Sequence, residues 1–184
     1  MVNTQKNPLH TTKKWLRISF LAALIFFIDQ VTKLLVRTRT PFTDNGILDV
    51  TLTTNTGSLF GLFTTFGNSN LVFILLSIIA IPLLVLAFRD EQNPRLHLPL
   101  GLVIGGILGN FLDRVYFGAV IDWLRVPHWP VFNLADTALV IGVVLLLYHT
   151  LRDELRKNNA PHTRTTTGKK AHAGKKARAK KQRI

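Results

Sequence analysis

The sequence predicts an all-α membrane protein, four transmembrane helices with a small extracytoplasmic β element, and three observations carry that prediction. The chain is apolar for its length, with 47% hydrophobic and only 18% charged residues and a mean hydropathy of +0.25. Its apolar residues gather into four long runs. Its net charge of +13 sits mostly in one terminal stretch, so the body that holds the runs is nearly neutral.

The first run, Trp15 to Val36, has a basic start (Lys6, Lys13, Lys14, Arg17), an apolar middle from Ile18 to Ile28, and then Asp29 and Lys33. No small-x-small cleavage signature follows, and the helical pattern continues through Val31, Leu34 and Leu35, so it reads as a retained helix rather than a cleaved signal peptide. Leu71 to Phe88 is free of charge over 18 residues. At 1.5 Å per residue that length crosses most of a ~30 Å hydrocarbon core. Leu96 to Leu112 is similar, interrupted only by His97 and Pro99, and Phe132 to Leu151 carries one acid, Asp136.

Basic residues flanking the runs set the orientation. The N-terminal segment 1–14, the 89–95 connection and the stretch after Leu151 hold most of them, so both termini are expected in the cytoplasm. Segments 38–70 and 114–131 then lie on the outer face. Within the outer β region, about 38–66, Asn45-Gly46 is a hairpin-turn dipeptide and Ile47 to Thr53 is rich in β-branched residues. The apolar stretch Phe60–Phe66 is expected on the membrane surface, and Tyr116, Trp123 and Trp129 form an interfacial aromatic belt.

Residues 152–184 contain twelve Lys/Arg against Asp153 and Glu154, and before Ile184 they hold one large apolar residue, Leu155. Such a basic stretch builds no core and is expected to be a disordered cytoplasmic tail, with anionic lipid as a secondary partner. The body, residues 15–151, has no basic stripe to meet a phosphate backbone, so no nucleic-acid partner is expected for the core. With no cysteine, disulfides, thiolate metal sites and thiol nucleophiles are excluded. The six histidines lack ligand spacing, so no metal is expected.

Ionisable groups inside spanning helices are costly and commonly functional. Asp29 and Lys33 stand at i and i+4; Asn110, Asp113 and Arg114 share another helix face; Asn133 and Asp136 lie within one turn. Asp122 sits among apolar neighbours in Ala119-Val120-Ile121-Asp122-Trp123-Leu124. Two readings stand side by side. Asp29/Lys33 and Asp113/Arg114 can be self-satisfied ion pairs, and Asn133 with Asp136 can be a helix cap. Alternatively, the outer helix ends point polar groups into one pocket. Gly101, Gly105, Gly106 and Gly109 read as a close-packing face rather than a phosphate loop.

Asp122 and Asp136 are left without a dedicated cationic partner. Two adjacent carboxylates cannot both ionise cheaply, so one pKa rises and the pair shares a proton. Such a dyad can take a proton from water with one member while the other protonates a scissile carbonyl or leaving amine.

At these residues the sequence resembles the lipoprotein signal peptidase (signal peptidase II) family, from about Trp15 to Leu151. Asp29-Gln30-Val31-Thr32-Lys33 matches D-x-x-[ST]-K, and Asn55-Thr56-Gly57-Ser58-Leu59-Phe60 matches N-x-G-x-x-F. Gly105 to Arg114 matches G-G-x-x-G-N-x-x-D-R. Gly118 to Trp123 resembles G-x-V-x-D-[FW], and Phe132 to Thr137 matches F-N-x-A-D-[ST]. Ser58-Leu59 departs from the small pair often found before the Phe, and the 123–131 connection is short.

The resemblance implies a membrane aspartyl endopeptidase of the bacterial inner membrane, without cofactor, that acts on a lipidated prolipoprotein and cuts before its lipidated Cys. Asp122 and Asp136 would be catalytic. Asn55, Gly57, Asn110, Arg114 and Asn133 would bind substrate or orient the site, with Asp29, Lys33 and Asp113 in support, Asp29 and Lys33 steadying the outer β region. The site would lie near the outer face, and the protein is expected to be a monomer among membrane lipid. A transporter is disfavoured by the absence of a repeat, a presenilin-like protease by the absence of G-x-G-D, and a lipid- or RNA-binding scaffold would depend on the tail rather than the core.

Overall fold

The apolar runs form helices that outlast them. In the computed structural model, which describes residues 8–38, 49–57 and 69–159, helix α1 spans Pro8–Thr38, α2 Ser69–Phe88, α3 His97–Phe117 and α4 Leu134–Asn158. Each contains a stretch long and apolar enough to cross a membrane. A 3₁₀ turn at Pro94–Leu96 leads into α3, with the Asn93 side chain accepting from Arg95 N.

The expected third span ended at Leu112; α3 continues to Phe117. An apolar run stops at the first charge, but a helix need not. Asp113 is fully buried and paired, so the backbone carries on until Gly118, whose left-handed φ of 72° closes the helix with its N–H on Arg114 O. At α4 the reverse holds. The run starts at Phe132, whereas the helix starts at Leu134, because Phe132 forms an antiparallel bridge with Leu124.

Helix α3 is the axis of the molecule and the most buried of the four. Its glycines are spent on proximity. A Cβ at Gly101 would stand 2.5 Å from Leu21 Cβ and one at Gly105 2.7 Å from Ala22 O, both on α1, while one at Gly106 would meet Ala135 O of α4 at 2.5 Å. Positions 101 and 105 share one face, and 106 is turned 100° away, so the one helix receives two neighbours at backbone contact. Ile18, Leu100, Val103 and Ile104 form the buried apolar cluster beneath.

Helix α2 contributes no buried residue and is fixed at its ends. Lys14 of α1, only 3% exposed, donates to Phe88 O at 2.8 Å, Arg89 O at 3.0 Å and Glu91 O at 2.7 Å. That lysine satisfies carbonyls the helix terminus leaves open. At the other end Ser69 Oγ donates to Thr56 O and Asn70 Nδ2 to Arg114 O.

Two strands cover the end of the bundle opposite Lys14. Strand β1, Asp49–Asn55, pairs antiparallel with β2, Val120–Arg125, in the register Thr53↔Asp122 and Asn55↔Val120, with an irregularity between Val50 and Thr53. The partner of β1 therefore comes from the 114–131 connection, beyond the 38–66 region in which the β element was expected. The Asn45-Gly46 turn, the Phe60–Phe66 stretch and residues 160–184 of the tail lie outside the described residues. After β2 the chain turns at Pro127-His128, with His128 at φ 63° and Trp129 N on Val126 O. Tyr116 and Trp129 stand exposed at this end. The described residues up to Thr150 belong to one compact unit, and the last turns of α4, from Leu151, are assigned to a second.

Candidate active site

A buried ion cluster ties the helices together beneath the strands. Lys33 Nζ lies 2.8 Å from Asp29 Oδ2 and 2.7 Å from Asp113 Oδ2, and donates to Asn110 Oδ1 at 3.1 Å. Those three partners use all three ammonium protons. Asp29 Oδ1 accepts from Ala135 N at 2.9 Å, the start of α4, and Asp113 Oδ2 from Ile121 N at 3.1 Å, in β2. Asp113 thus pairs with Lys33, not with its neighbour Arg114. The direct link to the β region runs through Asp113, while Asp29 reaches α4. Gln30 Nε2, which the sequence reading passed over, donates to Asp29, Asp113 and Gly109 O.

This cluster sets the orientation of Asn110. Its Oδ1 accepts from Lys33 and, at 3.0 Å, from Asn133 Nδ2. A cation requires the oxygen on its side, so the Nδ2 must face the other way, and there it donates to Asp136 Oδ1 at 2.7 Å.

Asn133 joins the two remaining acids. Its Nδ2 donates to Asp122 Oδ1 at 2.7 Å and also contacts Ile121 O. Its backbone N–H donates to Asp136 Oδ2 at 3.2 Å, and its Oδ1 accepts from Asp136 N at 2.9 Å. The last two bonds are a capping box on α4. Cap and polar-pocket readings of Asn133 and Asp136 therefore coexist in one geometry. The second oxygen of Asp122 accepts from Asn55 Nδ2 at 3.1 Å, and Asn55 Oδ1 accepts from Gly57 N at 2.9 Å. All four carboxylate oxygens meet amide donors, and the described ion pairs involve neither acid.

Asp122 is 2% exposed. Burial, and then the charge of Asp136, push its carboxyl up to about 6, against the pull of Asn55 and Asn133. Asp136 instead lines a cleft of about 440 Å³ between α2, α3 and α4, together with Asn55, Gly57, Asn110 and Arg114. Its deeper walls are apolar: Leu76, Ala80, Ile107 and Leu139. Arg114 stacks on Phe73 with its guanidinium carbon 4.7 Å from the ring centre, and its Nη1 reaches Asn110 O at 3.4 Å. Its Nε has no hydrogen-bond partner among the described residues.

Phe73 was not legible as a site residue, since α2 is a uniform apolar run and nothing in it marks one aromatic over another. The structure brings together every site residue the sequence nominated: Asn55, Gly57, Asn110, Arg114, Asp122, Asn133 and Asp136 around the cleft, and Asp29, Lys33 and Asp113 behind it. No cluster of metal-ligating side chains occurs among the described residues.

Four membrane-length helices around a polar cleft, capped by a two-stranded ribbon, define a multi-pass membrane enzyme. The chain belongs to the signal peptidase II family: the family described as signal peptidase (SPase) II matches residues 21–152. It is therefore a membrane protease. The lipoprotein signal peptidase of Moorella thermoacetica is 39% identical over 140 residues, covering 71% of this chain and 90% of that protein. That of Geobacter sulfurreducens is 37% identical over 142 residues, 71% and 88% of the two chains. A solved structure described as a bacterial membrane enzyme, obtained by the in meso method at 2.3 Å resolution, superposes with a TM-score of 0.67 at 30% identity. It covers 75% of this chain and 89% of that one. A second, at 1.9 Å, gives 0.65 at 30% identity over 73% and 92%.

Proposed function

We propose that the protein removes the signal peptide from diacylglyceryl-modified prolipoproteins, cutting the bond before the lipidated Cys with water activated by Asp122 and Asp136. The observation that carries this reading is Asn133, one residue whose side chain holds Asp122 while its backbone holds Asp136.

Asp136 lines the cleft and meets the water. Its carboxylate takes one proton as the water oxygen attacks the scissile carbonyl. Buried Asp122 holds the proton that the pair shares, and passes it toward the developing oxyanion. In collapse, the C–N bond breaks and the amine leaves with the proton on Asp136, while the hydroxyl that becomes the new C=O returns its proton to Asp122, so one shared proton remains. Asn55 and Asn110 hold the carboxylates in place, and Arg114, on the cleft wall, offers its guanidinium to a substrate carbonyl.

A diacylglyceryl substrate stays in the bilayer, and the cleft's polar end with apolar lower walls suits a chain entering sideways between α2 and α4. Of the described cations outside the site, Lys13, Lys14, Arg17, Arg89 and Arg95 gather at the Lys14 end, against Arg37 and Arg125 at the other. Of those at the opposite end, Lys33 is consumed by its ion cluster and Arg37 by the Phe117 ring at 4.2 Å, which supports cytoplasmic termini and a site near the outer face. We read the functional unit as a monomer of residues 15–151, with residues 1–14 and the 152–184 tail cytoplasmic.

The test is cleavage of a lipidated and an unlipidated precursor by purified protein. The lipidated one alone should be cut, and Asp122→Asn or Asp136→Asn should abolish it while the protein stays inserted. Wild-type rates in either variant would refute the dyad, and cleavage of both precursors would refute the substrate class.

A further inference from the structure

On the side of α2 away from the cleft, an apolar groove of about 540 Å³ lies between α1, α2 and α3. Its walls include Trp15, Ala23 and Phe26 of α1 and Val85 of α2, over a floor of Ile104 and Leu108. From Trp15 to Phe26 the groove follows twelve residues of α1, eleven steps or about 16 Å at 1.5 Å per residue. That is about half of a ~30 Å hydrocarbon core, the depth of one leaflet. The lining is almost wholly hydrocarbon, so a polar occupant is excluded.

The groove's Trp15 end opens at the Lys14 clasp. With Lys14 held by its three carbonyls and Arg89 paired with Asp90, exposed Lys13, Arg17 and Arg95 still outnumber Glu91 at that end, an excess of positive charge that suits an anionic headgroup. Helix α2 buries no residue and is held by polar contacts at both ends, so its middle stands between groove and cleft. Phe73, Leu76, Ser77 and Ala80 on its other face wall the cleft.

We propose that this groove binds one acyl chain of an anionic phospholipid from the leaflet at the Lys14 end, and that the bound chain braces α2 and with it the cleft wall. The assignment of that leaflet as cytoplasmic rests on the orientation proposed above; the groove itself does not. On the function proposed above, the substrate enters at the opposite end of α2, on the other side of the α2–α3 contact.

The test uses the full chain in detergent with Trp123→Phe and Trp129→Phe, leaving Trp15 as the only tryptophan. Phosphatidylglycerol brominated along its acyl chain should quench Trp15 saturably, and half-quenching should need several-fold more brominated phosphatidylcholine. Ala23→Phe fills the groove from an exposed lining position, and it should abolish saturable quenching and the rise in unfolding temperature that phosphatidylglycerol gives the parent. Equal quenching with and without Ala23→Phe would overturn the site. Equal quenching by the two lipids would overturn the headgroup preference, and displacement by a lipidated precursor would give the groove to substrate. None of these readouts needs peptidase activity, so the site and the catalytic reading fail separately.

Discussion

Asn110 Nδ2 lies 2.7 Å from Asp136 Oδ1, and the amide is held in that sense because its oxygen faces the Lys33 ammonium. A buried cation thus orients a cleft carboxylate through one intervening side chain. Asn110→Ala removes a donor from Asp136 and an acceptor from Lys33 and Asn133 together. Cleavage should fall on the order of 10²-fold, the usual cost of losing one preorganised donor. Steady-state kinetics on a lipidated precursor, with unfolding followed in parallel, checks it; a loss explained wholly by unfolding contradicts the positioning role.

Lys33→Met leaves Asp29 and Asp113 buried without their cation. Breaking a buried pair in that way costs about 3–5 kcal/mol, so the variant should unfold far below the parent in detergent. Adding Asp29→Asn and Asp113→Asn to it should recover much of that stability, because the uncompensated charges are then gone. Lys33→Arg should fail to substitute, since a planar guanidinium cannot direct three donors to Asp29, Asp113 and Asn110 from one point.

The pH dependence follows from Asp122. Its carboxyl, ordinarily near 3.8, is pushed up to about 6 by burial and by Asp136. A raised folded-state pKa means that the folded state holds its proton more tightly than the unfolded one. The resulting stabilisation is complete below about 3.8 and is lost as pH rises through about 6. Unfolding temperature should therefore fall between pH 4 and 7 by an amount that Asp122→Asn removes. Cleavage should lose activity on the alkaline side as the dyad gives up its shared proton. A variant and parent with the same stability slope would contradict the assignment.

Much of this was legible because membrane proteins invert the usual pattern: apolar runs mark helices, and the few polar residues within them mark the site. Asp29, Lys33, Asn110, Asp113, Arg114, Asn133 and Asp136 stood out against that background. What did not stand out had a local cause. The end of α3 was hidden because charge in a sequence does not say whether it is paired. Strand β2 was hidden because Val120–Arg125 becomes a strand only by meeting β1, nearly seventy positions earlier. Lys14 looked like one more flanking cation, although it closes the end of α2.

Gly106 is predicted to be intolerant of even one methyl group. Its added Cβ would stand 2.5 Å from Ala135 O, a backbone atom at the start of α4 that cannot move without carrying Asp136 with it. Gly106→Ala should cost about 1–3 kcal/mol, as overpacking does, and lower cleavage more than stability alone accounts for. Gly118→Ala is the control at α3's end. Its Cβ meets nothing within 4 Å, so the cost is only that of its left-handed φ, and cleavage should survive.

Gly57 and Phe73 give the last prediction, because their conflict is mutual. Gly57 has φ 93°, and a Cβ there would lie 2.6 Å from Phe73 Cδ2. The same ring carries the Arg114 guanidinium on its face. Gly57→Ala should therefore displace Phe73 and Arg114 and disturb the turn that aims Asn55 at Asp122, lowering cleavage by about tenfold or more, as the loss of ~1.4 kcal/mol of transition-state stabilisation would. Phe73→Leu alone should be milder, since it costs Arg114 only the ring contact. In Gly57→Ala with Phe73→Leu the steric part disappears, and the double variant should be more active than Gly57→Ala alone. Additive losses in that double-variant cycle would mean that the two residues act on the cleft independently and that the contact between them does not shape it.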